Sequence, residues 1–289
     1  MISEQTKYKI RALKKEYEQL KAGKESLLAL LREAELPELV YNSNAIENST
    51  LTLKETEKIL LEQEVMRDVS VRELFEAKNL ARVLEYLESR PNLELNIDNI
   101  LLLHRMLIGG INDKIAGKLR QPNEYVRVGS HIAPAPEHVE RLLDSLLSDY
   151  LSNHEQYFID NIGQFHTELE FIHPFVDGNG RIGRVVVNLQ LMSFGYPPII
   201  IRSKGKQNDY YPLFRDYQNN KDSSGMSDLF ALALQESLHK RLAYLKGMNI
   251  VKLVVYAKEH NLAPNGQLNA AKRQTIPAFR EKGVWKIGE

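Results

Sequence analysis

Residues 173 to 184 read His-Pro-Phe-Val-Asp-Gly-Asn-Gly-Arg-Ile-Gly-Arg. They hold a histidine able to take a proton near neutral pH, a carboxylate suited to a hard cation, an Asn between glycines, and two arginines. Val185, Val186, Val187, Leu189, Leu191, Met192 and Phe194 follow in an almost unbroken apolar run, closed by Gly195 and Pro197-Pro198. That length, with Gly then Pro as a stop, predicts a buried helix. Its N-terminus would open on Gly178-Asn179-Gly180, where free backbone N–H groups draw anions and glycine lets a phosphate approach closely. Gly-Asn-Gly alone fits an ordinary turn between helices equally well. The arginines separate the two readings. Arg181 and Arg184 share one face of the first helical turn, where cations are disfavoured unless an anion joins them. The pattern predicts a bound polyphosphate.

The same segment resembles the Fic family signature, His-x-Phe-x-(Asp/Glu)-Gly-Asn-Gly-Arg-x-x-Arg, with no specified position departing from it. The resemblance implies transfer of AMP from ATP onto a Ser, Thr or Tyr hydroxyl of a target protein, with pyrophosphate released and the enzyme itself among the products. In that reading His173 is the catalytic base and Asp177 holds Mg²⁺ between the α- and β-phosphates. Gly178, Asn179 and Gly180 line the anion hole, Arg181 meets the phosphates and Arg184 the γ-phosphate. Phe175 anchors the loop. Relatives with Lys at the second signature glycine resemble kinases that bind nucleotide reversed, so Gly180 favours nucleotidyl transfer. A metal-hydrolase reading through His166 and His173 fails, because seven residues apart is no ligand pair on one helical turn.

Composition narrows the field. In 289 residues Lys plus Arg balance Asp plus Glu at 38 each, which gives no global pull toward nucleic acid or anionic membrane. The absence of cysteine excludes a disulfide framework, a thiolate zinc site and a cysteine nucleophile. No apolar run nears the roughly 20 residues that span a bilayer, and the charged Met-Ile-Ser-Glu-Gln-Thr-Lys start lacks a signal-peptide core. A cytoplasmic protein with no membrane partner is expected.

The elements that must position the site read as mostly helical. Residues 5 to about 33 carry Ile10, Leu13, Tyr17, Leu20, Leu27 and Leu31 at helical spacing, interrupted at Lys24. The stripe packs on its own domain or forms a coiled-coil-like surface for a homodimer, a state frequent among bacterial relatives. Ser43, Glu47 and Asn48 match the family's inhibitory pattern, (Ser/Thr)-x-x-x-Glu-(Gly/Asn). There the Glu pairs with the second signature arginine, here Arg184, in place of the γ-phosphate. Asn44 as N-cap with Glu47 at N3 is the plainer alternative, a capping box on a short helix. Thr52 with Glu55 and Ser70 with Glu73 also read as capping boxes. Helices are expected over about 71–87, 98–108, 137–152 and 155–171, with His104 a packed core histidine.

Residues 117 to 136 break the helical rhythm. Tyr125, Val126, Val128 and Ile132 around a Gly129-Ser130 turn predict a short β-hairpin. It resembles the family's flap, whose edge takes a target segment as an added strand. Tyr210 and Tyr211 open the next helix, at the place where relatives line the adenine pocket, or else they belong to the core. After a helix at about 225–246, the end of the chain resembles excisionase-like DNA readers, with a short helix, a basic stretch and Gly283-Val284-Trp285 as a wing. A helical lid is the alternative. The whole predicts an all-α, Fic-type helical bundle with a β-hairpin flap and a small C-terminal helical or winged-helix-like segment. Its expected parts are 1–94, 95–246 and 247–289. Beside self-inhibited adenylyl transfer stand two further readings, a DNA-binding regulator with a Fic sensor core and an enzyme that removes AMP, with Glu47 orienting a water.

Overall fold

The structure is a computed structural model, and it describes residues 1–65, 68–129 and 131–289. Ser130, half of the expected hairpin turn, lies outside the described residues. In chain order the helices begin with α1 (Glu4–Lys21), α2 (Glu25–Ile46), α3 (Leu53–Glu57), α4 (Val71–Glu88) and α5 (Ile97–Ile108). Strands β1 (Arg127–Val128) and β2 (His131–Ile132) lead to α6 (Pro136–Ser152), α7 (Phe158–Ile172), α8 (Asn179–Ser193), α9 (Tyr211–Asn220) and α10 (Ser224–Leu245). The chain closes with β3 (Ile250–Lys252), α11 (Leu253–Glu259), α12 (Pro264–Lys272), β4 (Ala278–Glu281) and β5 (Val284–Gly288). The fold is helical with small antiparallel sheets. Among the described residues no helix is long and apolar enough to cross a membrane.

Two compact units emerge from the packing. One comprises Leu36–Tyr196, Ile201–Ser227 and Met1; the other comprises Ile2–Glu35, Pro197–Ile200 and Asp228–Glu289. In the first, α8 is buried from Asn179 to Leu191 apart from Gly180, the pattern of a central helix enclosed on all sides, with Arg181, Arg184, Asn188 and Gln190 among its buried residues. Leu103, Leu107, Val139, Phe165, Leu169, Ile182 and Val186 meet in its core, each contributing roughly 1.5–3 kcal/mol by leaving water. In the second, β3, β5 and β4 form an antiparallel sheet in that order, and Leu253, Ala271, Ala278 and Ile287 make a small core. Two short helices followed by a two-stranded wing are the helix–turn–strand expected for residues 250–289.

Local signals explain most boundaries. The Thr52–Glu55 capping box is formed in both directions, whereas Ser70 caps α4 by accepting from the Glu73 N–H. The helix expected over 5–33 is two helices, because Gly23 turns the chain at φ +74° next to the Lys24 interruption. Ile10, Tyr17 and Leu31 of its stripe are buried within the chain itself. Asn44 caps nothing: residues 41–46 are the last turns of the long α2, and Asn48 leaves the helix at φ +68°. Helix α7 starts at Phe158, three residues later than expected. The hairpin is shorter than expected. Only Arg127–Val128 pairs with His131–Ile132, and Tyr125 and Val126 precede the strand, with Val126 O accepting from the Ala133 N–H at 3.0 Å.

Candidate active site

Helix α7 ends at His173, which takes the left-handed conformation at φ +52°, ψ +63°. A non-glycine residue held there is under strain that the surroundings must impose. Arg120 supplies much of the constraint. Its guanidinium donates to the carbonyls of His173 at 2.8 Å, Ile172 at 3.2 Å, Pro134 at 2.8 Å and Glu124 at 3.1 Å, which ties the hairpin to the loop. His131 Nε2 adds a bond to the Phe171 carbonyl at 2.8 Å. His173 Nδ1 lies 3.2 Å from the Glu170 carbonyl. A carbonyl only accepts, so Nδ1 carries the proton and Nε2 keeps its lone pair for an incoming hydroxyl. Burial, with the Arg120 and His131 charges, pushes the imidazole down to about 4, so the ring is neutral at pH 7.

The signature loop is held from beneath. Phe175 stacks on His104 with ring centroids 3.8 Å apart. His104 Nε2 donates to the Asp177 carbonyl at 2.9 Å, and its Nδ1 accepts from the Gly117 N–H at 2.9 Å. It is a core histidine, as expected, and burial holds it neutral at about 4. Asn179 directs its amide at the Phe175 backbone in both senses, Oδ1 to N–H and Nδ2 to O, each at 2.8 Å. Its side chain therefore closes the loop, and what it offers an anion is backbone N–H at the start of α8. Gly178 turns into α8 at φ +86°, and a Cβ there would press on Ile108 at 3.0 Å.

Charge gathers on the next turn. Arg184 donates to Glu47 Oε1 at 2.8 Å, to Ser43 Oγ at 3.0 Å and to Ser43 O at 2.8 Å. Against the cost of burial, Glu47 and Tyr210 raise the Arg184 pKa above its ordinary value. A Cβ on Gly180 would collide with the Glu47 carboxylate, so the second signature glycine is what gives that carboxylate room. Arg181 is buried beneath the loop, pairing with Glu76 and Asp177 at 3.0 Å each. Burial pushes the Asp177 carboxyl up, but Arg181, Arg72 and the Gly178 N–H outweigh it and leave it below its ordinary value.

These groups border a cleft of about 500 Å³ within the first unit, lined by Glu47, Val128, Glu170, His173, Val176, Asp177 to Gly180, Arg184, Tyr210 and Tyr211 among others. Tyr210 is buried with its hydroxyl 2.7 Å from His166 Nε2, and the Tyr211 hydroxyl donates to Ile46 O at 2.6 Å. On the hairpin Tyr125, Val128 and Ile132 are exposed, at 61%, 45% and 69%. Asn48 accepts from Lys206 Nζ at 2.8 Å. Sequence reasoning missed Arg120, Glu170, Lys206, Arg72 and Glu76. Only Glu170 left a signal, one helical turn before His173 on the same helix.

Residues 94–191 match the model of the Fic/DOC family. That stretch holds a Fic/DOC domain. The protein adenylyltransferase Fic of Nematostella vectensis is 34% identical over 177 residues, 60% of this chain and 41% of the relative. The protein adenylyltransferase Fic of Drosophila sechellia is 30% identical over 256 residues, 86% of this chain and 51% of the relative. The chain thus spans about two-fifths to half the length of these curated relatives. A Fic domain containing signaling protein from Bacteroides thetaiotaomicron shares the fold at TM-score 0.75 and 24% identity, covering 83% of this chain and 97% of that one. Fic-1 from Caenorhabditis elegans superposes at TM-score 0.69 and 26% identity, over 82% and 71% of the two chains.

Proposed function

We propose that this Fic chain is a protein adenylyltransferase that holds itself inactive. The observation that carries the reading is one cleft in which a neutral His173 with Nε2 open and the α8 N-terminus meet Arg184, already paired with Glu47. ATP fills the cleft with its phosphates on the α8 N–H groups and the Tyr210–Tyr211 wall beside the nucleoside. A target segment lies along Val128 and Ile132 of the hairpin as an added strand. The acceptor hydroxyl gives its proton to His173 Nε2 as its oxygen bonds to the α-phosphorus. The bond from that phosphorus to the bridging oxygen breaks, and pyrophosphate leaves. The residues fit Mg²⁺, since Asp177 is a hard, ionised oxygen donor at the cleft and this ion takes few protein carboxylates beside substrate oxygens. When bound, the ion supplies neutralisation of the phosphate charge. Among the described residues no cluster of three or more His, Asp and Glu side chains would hold a cation by itself. Glu47 on Arg184 occupies the guanidinium that the γ-phosphate needs, and a carboxylate competes with phosphate for that fork.

Incubation with labelled ATP and Mg²⁺ tests this. Glu47→Gly should label itself or a lysate protein well above wild type, and adding His173→Ala should cut that by about 10²–10⁴-fold. The reading is sunk if Glu47→Gly binds ATP yet labels nothing.

A second partner reading is favoured by the winged arrangement of residues 250–289. The pair α11–α12 followed by the β4–β5 wing has the form in which a second helix enters the DNA major groove. Asn265, Asn269, Lys272 and Arg273 are exposed on or just past α12, and Lys282-Gly283 forms the exposed wing tip. Duplex DNA binding by the full chain, measured at two salt concentrations, decides it. Affinity that ignores salt would rule out phosphate contacts.

A further inference from the structure

Neither carboxylate oxygen of Asp177 is open. Oδ2 takes a short hydrogen bond from Arg72 Nη2, and Oδ1 takes Arg181 Nη2 at 3.0 Å. Glu76 Oε1 completes the ring, 3.0 Å from Arg72 Nε and 3.0 Å from Arg181 Nη1. Two guanidiniums and two carboxylates alternate, so the charges cancel without any cation from solution. Exposure divides the two arginines. The Arg181 side chain is 3% exposed, the Arg72 side chain 56%. Arg181 is enclosed with Glu76 and Asp177, and parting it from them would leave a buried guanidinium unpaired, whereas Arg72 can swing into water from the first turn of α4 at little cost. A cation in that first turn also opposes the helix dipole, which Asp177 and Glu76 together offset.

We propose that Arg72 is the resident counter-cation of Asp177, which a divalent cation arriving with nucleotide must displace, so that Arg72 sets how much of that cation the protein requires. The inference rests on the nucleotide reading of the cleft. A guanidinium and a divalent ion against one carboxylate repel each other. Exchange leaves Asp177 with one cationic partner on each oxygen, and leaves Arg72 with Glu76 four residues along the same helix. Removing the Arg72 charge therefore removes a competitor, while nucleotide without metal, which does not touch Asp177, is unaffected.

The test titrates Mg²⁺ into Glu47→Gly protein with a non-hydrolysable ATP analogue at fixed concentration, and follows bound nucleotide by calorimetry. Adding Arg72→Gln should lower the Mg²⁺ midpoint about five-fold. Affinity for the analogue without Mg²⁺ should stay within about two-fold. Arg72→Lys, which keeps the charge, should lie near the parent, and thermal melts confirm that each variant is folded. An unchanged midpoint in Arg72→Gln overturns the proposal. So does weaker analogue binding both with and without Mg²⁺, since that would make Arg72 a phosphate ligand. If the Glu47→Gly parent shows no Mg²⁺-dependent nucleotide binding at all, the nucleotide reading falls and takes this inference with it.

Discussion

Glu170 lies one helical turn before His173, with Oε2 3.8 Å from His173 Nδ1 and Oε1 buried without a hydrogen-bond partner among the described residues. Its other neighbours are Arg184, Glu47 and Gly183, and a Cβ on Gly183 would meet its Oε1 at 2.5 Å. Burial, reinforced by the Glu47 charge against the pull of Arg184, pushes this carboxyl up to about 8 from an ordinary 4.5. The folded protein then binds the proton more tightly than the unfolded chain. The resulting stability is complete below about pH 4.5 and is lost as pH rises through about 8. Glu170→Gln should flatten that decline and raise the melting temperature near pH 8 by about 2–4 °C, with little change near pH 5. An equal shift at both pH values would assign the effect to packing instead. His173 itself was legible, because helix-ending histidine, glycines and arginines sit within one contiguous stretch. Glu170 was half legible, one turn before His173, but a glutamate in a helix is ordinary until packing leaves its Oε1 buried without a hydrogen bond among the described residues.

At the scale of elements the end of α2 decides whether Glu47 stays on Arg184. Lys206 Nζ donates to the carbonyls of Ala45 at 2.7 Å and Ile46 at 2.8 Å and to Asn48, while Tyr211 reaches the Ile46 carbonyl. Those carbonyls lie in the last turn of α2, where the helix leaves carbonyls outside its own ladder (Ala45 O also accepts from the Asn48 N–H at 3.2 Å), and a lysine there also suits the dipole. The π-helical turn at Lys206–Tyr210 and the first residue of α9 thus deliver two side chains that hold the end of α2, and under the proposed self-inhibition they would act as its latch. Lys206→Ala should raise the initial labelling rate of the otherwise wild-type chain about 2–10-fold, on the basis of roughly 0.5–1.5 kcal/mol per lost hydrogen bond. The same change in a Glu47→Gly background should add nothing, and a further rise there would mean that Lys206 acts on catalysis. Helix positions followed from period and capping, as with Ser70 before α4. The α1–α2 break was half visible in Lys24, and the hairpin proved shorter than its alternation suggested because its ladder stops at Arg127.

For the molecule as a whole, residues 2–35 and 228–289 pack as one unit and most of the chain between them as another. The second unit carries its own small core and sheet, which makes the DNA reading testable on the intact chain. If α12 and the wing meet phosphates, log affinity should fall with log salt by about 0.9 for each phosphate contacted. Lys272→Glu with Arg273→Glu should then cut that slope by about two, without altering Glu47→Gly labelling. A slope near zero in the parent would leave the wing without a nucleic-acid role.

Sequence by itself determined the signature loop and the buried helix it opens, because such a loop is built from residues that are neighbours along the chain, where spacing is geometry. It also yielded the helical class, since burial imprints a period on each segment. The partners of that loop were decided by tertiary structure. Arg184 meets Glu47 across 137 positions and Asp177 meets Arg72 across 105, and only the inhibitory likeness hinted at the first. Arg120 and Lys206 act on backbone carbonyls, which every residue has and no sequence pattern marks. Charges that distant find each other through the packing of α2, α4 and α8, and the pairs at Arg184 and Asp177 exist only once that packing is in place.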